Sequence, residues 1–91
     1  MSDTKTASWV PHPERGEGAI KLVTSAGRTI ARVWPTNAPI EPWFATWGRN
    51  GGGYFNRFYS AVERCNVWAV HNGYTIPNAK AAQDGEVAHG R

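Results

Sequence analysis

A chain of 91 residues has room for one domain and buries only about 60% of the surface its unfolded form exposes. One cysteine excludes an internal disulfide framework and fits the cytosol; no apolar run approaches a membrane span, and the opening residues have no signal-peptide character. The formal charge of +3 is concentrated in 18–77, where Lys21, Arg28, Arg32, Arg49, Arg57 and Arg64 stand against only Glu41 and Glu63; this basic body favours acidic partners or phosphates, or is ordinary solubility charge.

Residues 1–8 lack apolar periodicity and 78–91 are Ala, Gly and polar residues, so both ends are expected to be disordered around a single domain over 9–77. Pro11, Pro13 and Gly16 make 9–18 an extended lead-in that drapes Trp9 and Val10 over the body. The runs 18–24 and 29–34 are β-branched and alternating, and read as a hairpin. Gly27 suits the left-handed position after a type I turn at Ser25 and Ala26, which sets Leu22 opposite Ile30 and Ile20 opposite Arg32. A two-residue turn at Ala26 and Gly27 would instead set Lys21 opposite Arg32, like charge against like.

Pro35, Pro39 and Pro42 make 35–42 a rigid connection. Trp43–Trp47 and 54–58 then flank the glycine-rich segment 48–53, which reads as a second hairpin with a long flexible tip. Alternation puts Trp43, Ala45 and Trp47 on one face and Phe44 and Thr46 on the other. Ser60-Ala61-Val62-Glu63 is a capping box, so a helix is expected from about Ala61 to His71. Ala61, Val62, Cys65, Trp68 and Ala69 form its apolar stripe, with Cys65 and Trp68 buried, and Gly73 after Asn72 is the stop. Tyr74, Thr75 and Ile76 form a short return segment, an edge strand ended by Pro77. The fold class is α+β: a small antiparallel sheet of two hairpins packed by one C-terminal helix.

No catalytic chemistry emerges from these elements. The 48–53 loop lacks the Gly-Lys-Ser/Thr and following helix of a phosphate-binding loop, so it reads as a hairpin tip with Arg49 available to a partner. Cys65 and His71 lie about 240° apart around the helix, and Cys65 reads as a core residue. His12, His71 and His89 have no ligand partner at metal spacing, and Glu63 is committed to the cap, so neither a metal, a cofactor nor a paired-carboxylate site is expected.

Trp43, Trp47, Arg49, Tyr54, Phe55 and Arg57 fall within fifteen residues, the mixture of Arg and aromatic side chains that serves nucleic-acid stacking or protein hot spots. About half of them belong to the core by alternation. Arg49, Arg57, Phe55, Tyr54 and Trp47, joined by Arg28 and Arg32 of the first hairpin, are the expected partner-binding residues. Arg57 and Phe55 should share one side of the sheet.

In 53–63 the aromatic strand with Tyr54, Phe55 and Phe58 runs straight into the capped Ser60-Ala61-Val62-Glu63. That layout resembles the small hairpin-and-helix counter-defence proteins of phages and mobile elements, the anti-CRISPR proteins among them. The resemblance implies a non-enzymatic, stoichiometric inhibitor or adaptor that docks on a nucleic-acid-handling protein complex in the host cytosol. The basic body departs from the acidic, DNA-mimicking members of that group. Direct, weakly specific nucleic-acid binding is the alternative, because an acidic protein groove and a phosphate track attract the same side chains.

Overall fold

The computed structural model describes residues 5–87. In chain order it contains β1 (Lys5–Pro11), a 3-10 turn (Pro13–Arg15), β2 (Ile20–Thr24), β3 (Thr29–Pro35), β4 (Trp43–Trp47), β5 (Gly51–Phe55), α1 (Phe58–His71), β6 (Tyr74–Thr75) and α2 (Ala79–Gln83). The first five strands meander antiparallel, and α1 then carries the chain back across one face so that β6 lies parallel to β1, in the order β5-β4-β3-β2-β1-β6. The class is α+β as expected, but the sheet is six-stranded and mixed, and a short second helix joins the first.

Alternation along the strands sends Ala7, Trp9, Ile20, Leu22, Val33 and Ala45 to one buried face. Against it α1 lays Ala61, Val62, Cys65 and Ala69. The small residues, Ala31 and Ala45 on the sheet and Ala61 and Ala69 on the helix, let helix and sheet approach closely. No described helix is long and apolar enough to cross a membrane.

The lead-in and the two ends differ most from expectation. Lys5 to Ser8 belong to β1, where Ala7 pairs with Thr24 and Lys5 with Tyr74. Trp9, expected to drape over the body, is 2% exposed in the core. Its indole Nε1 donates to Asn66 Oδ1 at 2.8 Å, and Asn66 Nδ2 donates to the Ala79 carbonyl at 3.4 Å. Asn78 closes the clamp: its Oδ1 accepts from the Trp9 amide at 3.0 Å and its Nδ2 donates to the Trp9 carbonyl at 2.9 Å. Asn78 thus continues the β6 edge with a side chain in place of a backbone, and α2 follows from it. The expectation of disorder over 1–8 and 78–91 is therefore corrected for 5–8 and 78–87; residues 1–4 and 88–91 lie outside the described residues.

In the first hairpin the turn is as expected and the register is not. Gly27 has φ +87°, and its amide donates to the Thr24 carbonyl at 2.8 Å. A bulge between Leu22 and Val23 then shifts the pairing by one, giving Leu22 opposite Ala31, Lys21 opposite Arg32 and Ile20 opposite Val33. The extra residue is Ile30, which explains two consecutive buried residues, Ile30 and Ala31, in β3. Without the shift Arg32 would face the core beside Ile20. Burying a residue such as Val33 gains about 1.5–3 kcal/mol, which outweighs a like-charge pair costing roughly 0.2–1 kcal/mol.

The second hairpin has a three-residue turn, Gly48, Arg49 and Asn50, because Gly51, Gly52 and Gly53 pair with Trp47, Thr46 and Ala45 as strand β5. The Trp47 indole lies across Gly51, so that a Cβ there would stand 2.7 Å from its Cε2; the glycines make room for a ring. The strand ends at Phe55 and α1 starts at Phe58, with Arg57 as an extended N-cap and Ser60 inside the first turn. No side-chain cap forms. The extra turn brings the Phe58 ring to 4.9 Å from Trp43, edge to face, a burial that outweighs the roughly 0.5–2 kcal/mol of a Ser cap. At the other end Asn72 and Gly73, with φ +88°, stop the helix as expected. Cys65 is buried as expected, whereas Trp68 is half-buried.

Candidate functional site

Both helices pack on the inner side of the sheet, so the residues alternating with the core ones face outward with no helix over them. Among these are Lys21 of β2, Arg32 and Trp34 of β3, Phe44 and Thr46 of β4, and Tyr54 of β5. Trp34 stands directly opposite Phe44, and Phe44 opposite Tyr54. The three rings form a row across neighbouring strands, with centroids 5.1 and 4.7 Å apart and planes inclined by 58° and 62°. The Arg15 guanidinium lies over Trp34, 4.5 Å from the ring centroid, and caps one end of the row. Tyr54, 53% exposed, is the open end.

Beside the row, Lys21 and Arg32 face each other across β2 and β3. No described strand contains Asp or Glu, and Glu14 Oε1 lies 3.0 Å from His12 Nδ1. The Glu14 carboxyl is held below its ordinary range by a backbone hydrogen bond first, and further by His12 and Lys21, against a raising by desolvation. The two cations are thus placed opposite each other on an uncovered face.

The expected site residues do not form one surface. Tyr54 and Arg32 lie on the outer face. Trp47 and Phe55 face inward, 6.2 Å apart, where Trp47 is covered by the Arg64 guanidinium at 4.8 Å. Arg57 is exposed at the N-cap of α1 and does not share a strand with Phe55, because pairing ends at Phe55. Arg28 and Arg49, on the two hairpin turns, line one cleft of about 330 Å³ on the helix side, together with Lys5, Trp68 and Tyr74. Trp34, Phe44, Lys21 and Arg15 escaped the sequence reading of the site. Their signal was the alternation of β3 and β4, which needs the cross-strand register before it becomes a row.

Cys65 donates its thiol toward the Thr46 carbonyl at 3.7 Å. Burial pushes its pKa up to about 12, so at neutral pH it is a protonated core side chain. A largely apolar dip lined by Ala38, Pro39, Ile40 and Glu41 adjoins Tyr54, and Ile40 is 81% exposed. Comparison with known proteins finds no matching family model, no matching relative and no matching solved structure.

Proposed function

We propose that this chain is a non-enzymatic binding protein that holds single-stranded nucleic acid on the outer face of its sheet. One observation carries the reading: the aromatic row of Trp34, Phe44 and Tyr54 runs beside the facing cations Lys21 and Arg32, on strands that contain no carboxylate. Bases stack on such rings irrespective of sequence, and the cations beside them neutralise the phosphates that connect the bases. The buried, protonated Cys65 supports a role by occupancy rather than by covalent chemistry.

The test is anisotropy of a labelled single-stranded oligonucleotide across a salt series. Wild-type binding weakens along a straight line of log K against log salt, and Lys21→Ala with Arg32→Ala flattens the slope by about 1.4, which is about 0.7 for each phosphate no longer neutralised. Tyr54→Ala weakens binding by about 1–3 kcal/mol. Absence of binding at low salt, or an unchanged slope in the double variant, refutes the proposal.

A second reading rests on the apolar dip beside Tyr54 and the exposed Ile40: a stoichiometric inhibitor that anchors on a nucleic-acid-handling protein complex. Aromatic and Arg anchors beside an apolar pocket suit a protein hot spot. Capture of one protein complex that survives nuclease treatment, and that Ile40→Asp abolishes, favours this reading over the first.

A further inference from the structure

We propose that the cleft between the two hairpin turns is a binding site for a phosphomonoester. It lies on the helix side of the sheet, opposite the aromatic row, and the inference does not depend on what the outer face binds. Lys5 from the start of β1, Arg28 from the β2–β3 turn and Arg49 from the β4–β5 turn all line the cleft. These cations come from three separate stretches of chain, so the fold, not sequence adjacency, brings them together. Among the described residues no Asp or Glu lines the cleft, and none of the three has a carboxylate partner. An adjoining cleft of the same volume shares Lys5, Arg28 and Tyr74 and adds Thr6, Thr24 and Ser25, again without an acidic side chain among the described residues.

The walls are held in place. Lys5 Nζ stands over the Tyr74 ring, 5.2 Å from its centroid, and the Arg28 amide donates to Thr24 Oγ1 at 3.1 Å, which fixes the turn. Gly48 has φ +65°, and a Cβ on it would come within 2.8 Å of Trp68 Cζ2. That glycine therefore lets the Trp68 indole lie against the turn that presents Arg49, and gives the cleft a flat aromatic side.

Three cations around one space match a phosphomonoester, with about 1.5–2 negative charges and three acceptor oxygens, better than a single carboxylate. Two arginine forks and a lysine supply directional and point-charge contacts to the same group. The volume stands at the small end of ligand pockets, which run from about 300 Å³, and suits one nucleotide rather than a polymer. The phosphate belongs either to a free nucleotide or to the end of a strand.

The experiment titrates the full chain with inorganic phosphate, adenosine 5′-monophosphate and adenosine, followed by amide shifts and calorimetry. The monophosphate saturates one site at millimolar concentration or below, phosphate competes with it, and adenosine binds at least about tenfold more weakly. Replacing Arg28 and Arg49 together by Gln weakens the monophosphate by more than about tenfold, as expected when two charge-assisted hydrogen bonds are lost. Both arginines are exposed turn residues, and an unchanged Tm confirms the fold; Arg49→Gln alone serves if the pair does not fold. Lys21→Ala with Arg32→Ala leaves monophosphate affinity unchanged, which separates this site from the outer face. A 5′-phosphorylated oligonucleotide that outbinds its 5′-hydroxyl counterpart in wild type but not in the arginine variant marks a strand end as the ligand; equal binding of the two oligonucleotides marks a free nucleotide. Failure of phosphate and monophosphate to saturate the wild type, or full monophosphate affinity in the arginine variants, overturns the proposal.

Discussion

Replacing Gly51 by Ala forces a methyl group into the Trp47 indole. A Cβ at this position falls on the pyrrole edge of the ring and stands 2.7 Å from Cε2, whereas carbon atoms in good contact are about 3.5–4.0 Å apart. The ring must therefore retreat, and its surroundings resist. Phe55 lies at 6.2 Å on one side, the Arg64 guanidinium covers it at 4.8 Å, and Ala31 stands opposite Trp47 on β3. Overpacking of this kind costs about 1–3 kcal/mol. Loss of glycine entropy from the unfolded chain returns about 0.4–1 kcal/mol, so the net loss is at most about 2.6 kcal/mol and about 1.3 kcal/mol at the middle of both ranges.

Gly53 provides the internal comparison. It lies two residues further along the same inner face of β5, and the nearest atoms to a Cβ there are Phe55 Cε1 and Trp47 Cη2, both at 4.0 Å. Ala fits that space, and Gly53→Ala should stabilise the domain by about 0.4–1 kcal/mol. Urea denaturation of wild type and both variants gives the answer as midpoints at equal slope. If Gly51→Ala is as stable as Gly53→Ala, the Trp47 ring does not lie on β5, and the glycine run is a loose tip rather than a strand.

Cys65 predicts an alkaline limit: its pKa rises from 9.0 to about 12 on folding, so the native state keeps a proton that the unfolded chain gives up. The contribution is complete below about pH 9 and is lost as pH rises towards 12, at about 1.4 kcal/mol per unit; urea midpoints of wild type and Cys65→Ala should converge over that range, and a constant difference would count against the burial. Asn78→Ala removes both partners of the Trp9 backbone and should cost about 2 kcal/mol or more, with faster amide exchange in α2; unchanged exchange there would mean that the clamp does not hold the C-terminal segment.

Local signals in the sequence reported local structure well. The alternation of β2 and β4, the turn at Gly27 and the stop at Gly73 all lie where residue chemistry places them, because each depends on neighbours a few positions away. Apart from the bulge in the first hairpin, the differences involve partners distant in the chain. β1 reads as a proline-rich lead-in, and only pairing with Thr24 on one side and Tyr74 on the other makes it an inner strand. Its anchor, Trp9 on Asn66 and Asn78, spans up to 69 positions. The glycine run reads as flexible because its missing side chains are visible in sequence, while the Trp47 ring that fills their place is not. The Ser60 capping box competes with burial of Phe58 against Trp43, a contact of fifteen positions' separation.

The candidate site was legible in its chemistry and not in its placement, and the reason is the same bulge that corrected the first hairpin. Arg and aromatic residues are the binding material that the sequence leads one to expect, but assigning them to a surface requires knowing which face each strand turns outward and which strands are neighbours. One extra residue at Ile30 sends Ala31 and Val33 inward, and with them turns Arg32 and Trp34 outward. Pairing of β3 with β4 and of β4 with β5 then aligns Trp34, Phe44 and Tyr54 into a row. The same shift sets Arg32 opposite Lys21, so the like-charge contact and the aromatic row have a single structural origin. On the proposed reading, a phosphate on the outer face would relieve the first while a base occupied the second. Removing the charge pair should therefore relieve repulsion in the free protein and weaken its hold on a strand, and those opposite effects distinguish a binding face from one that is merely exposed.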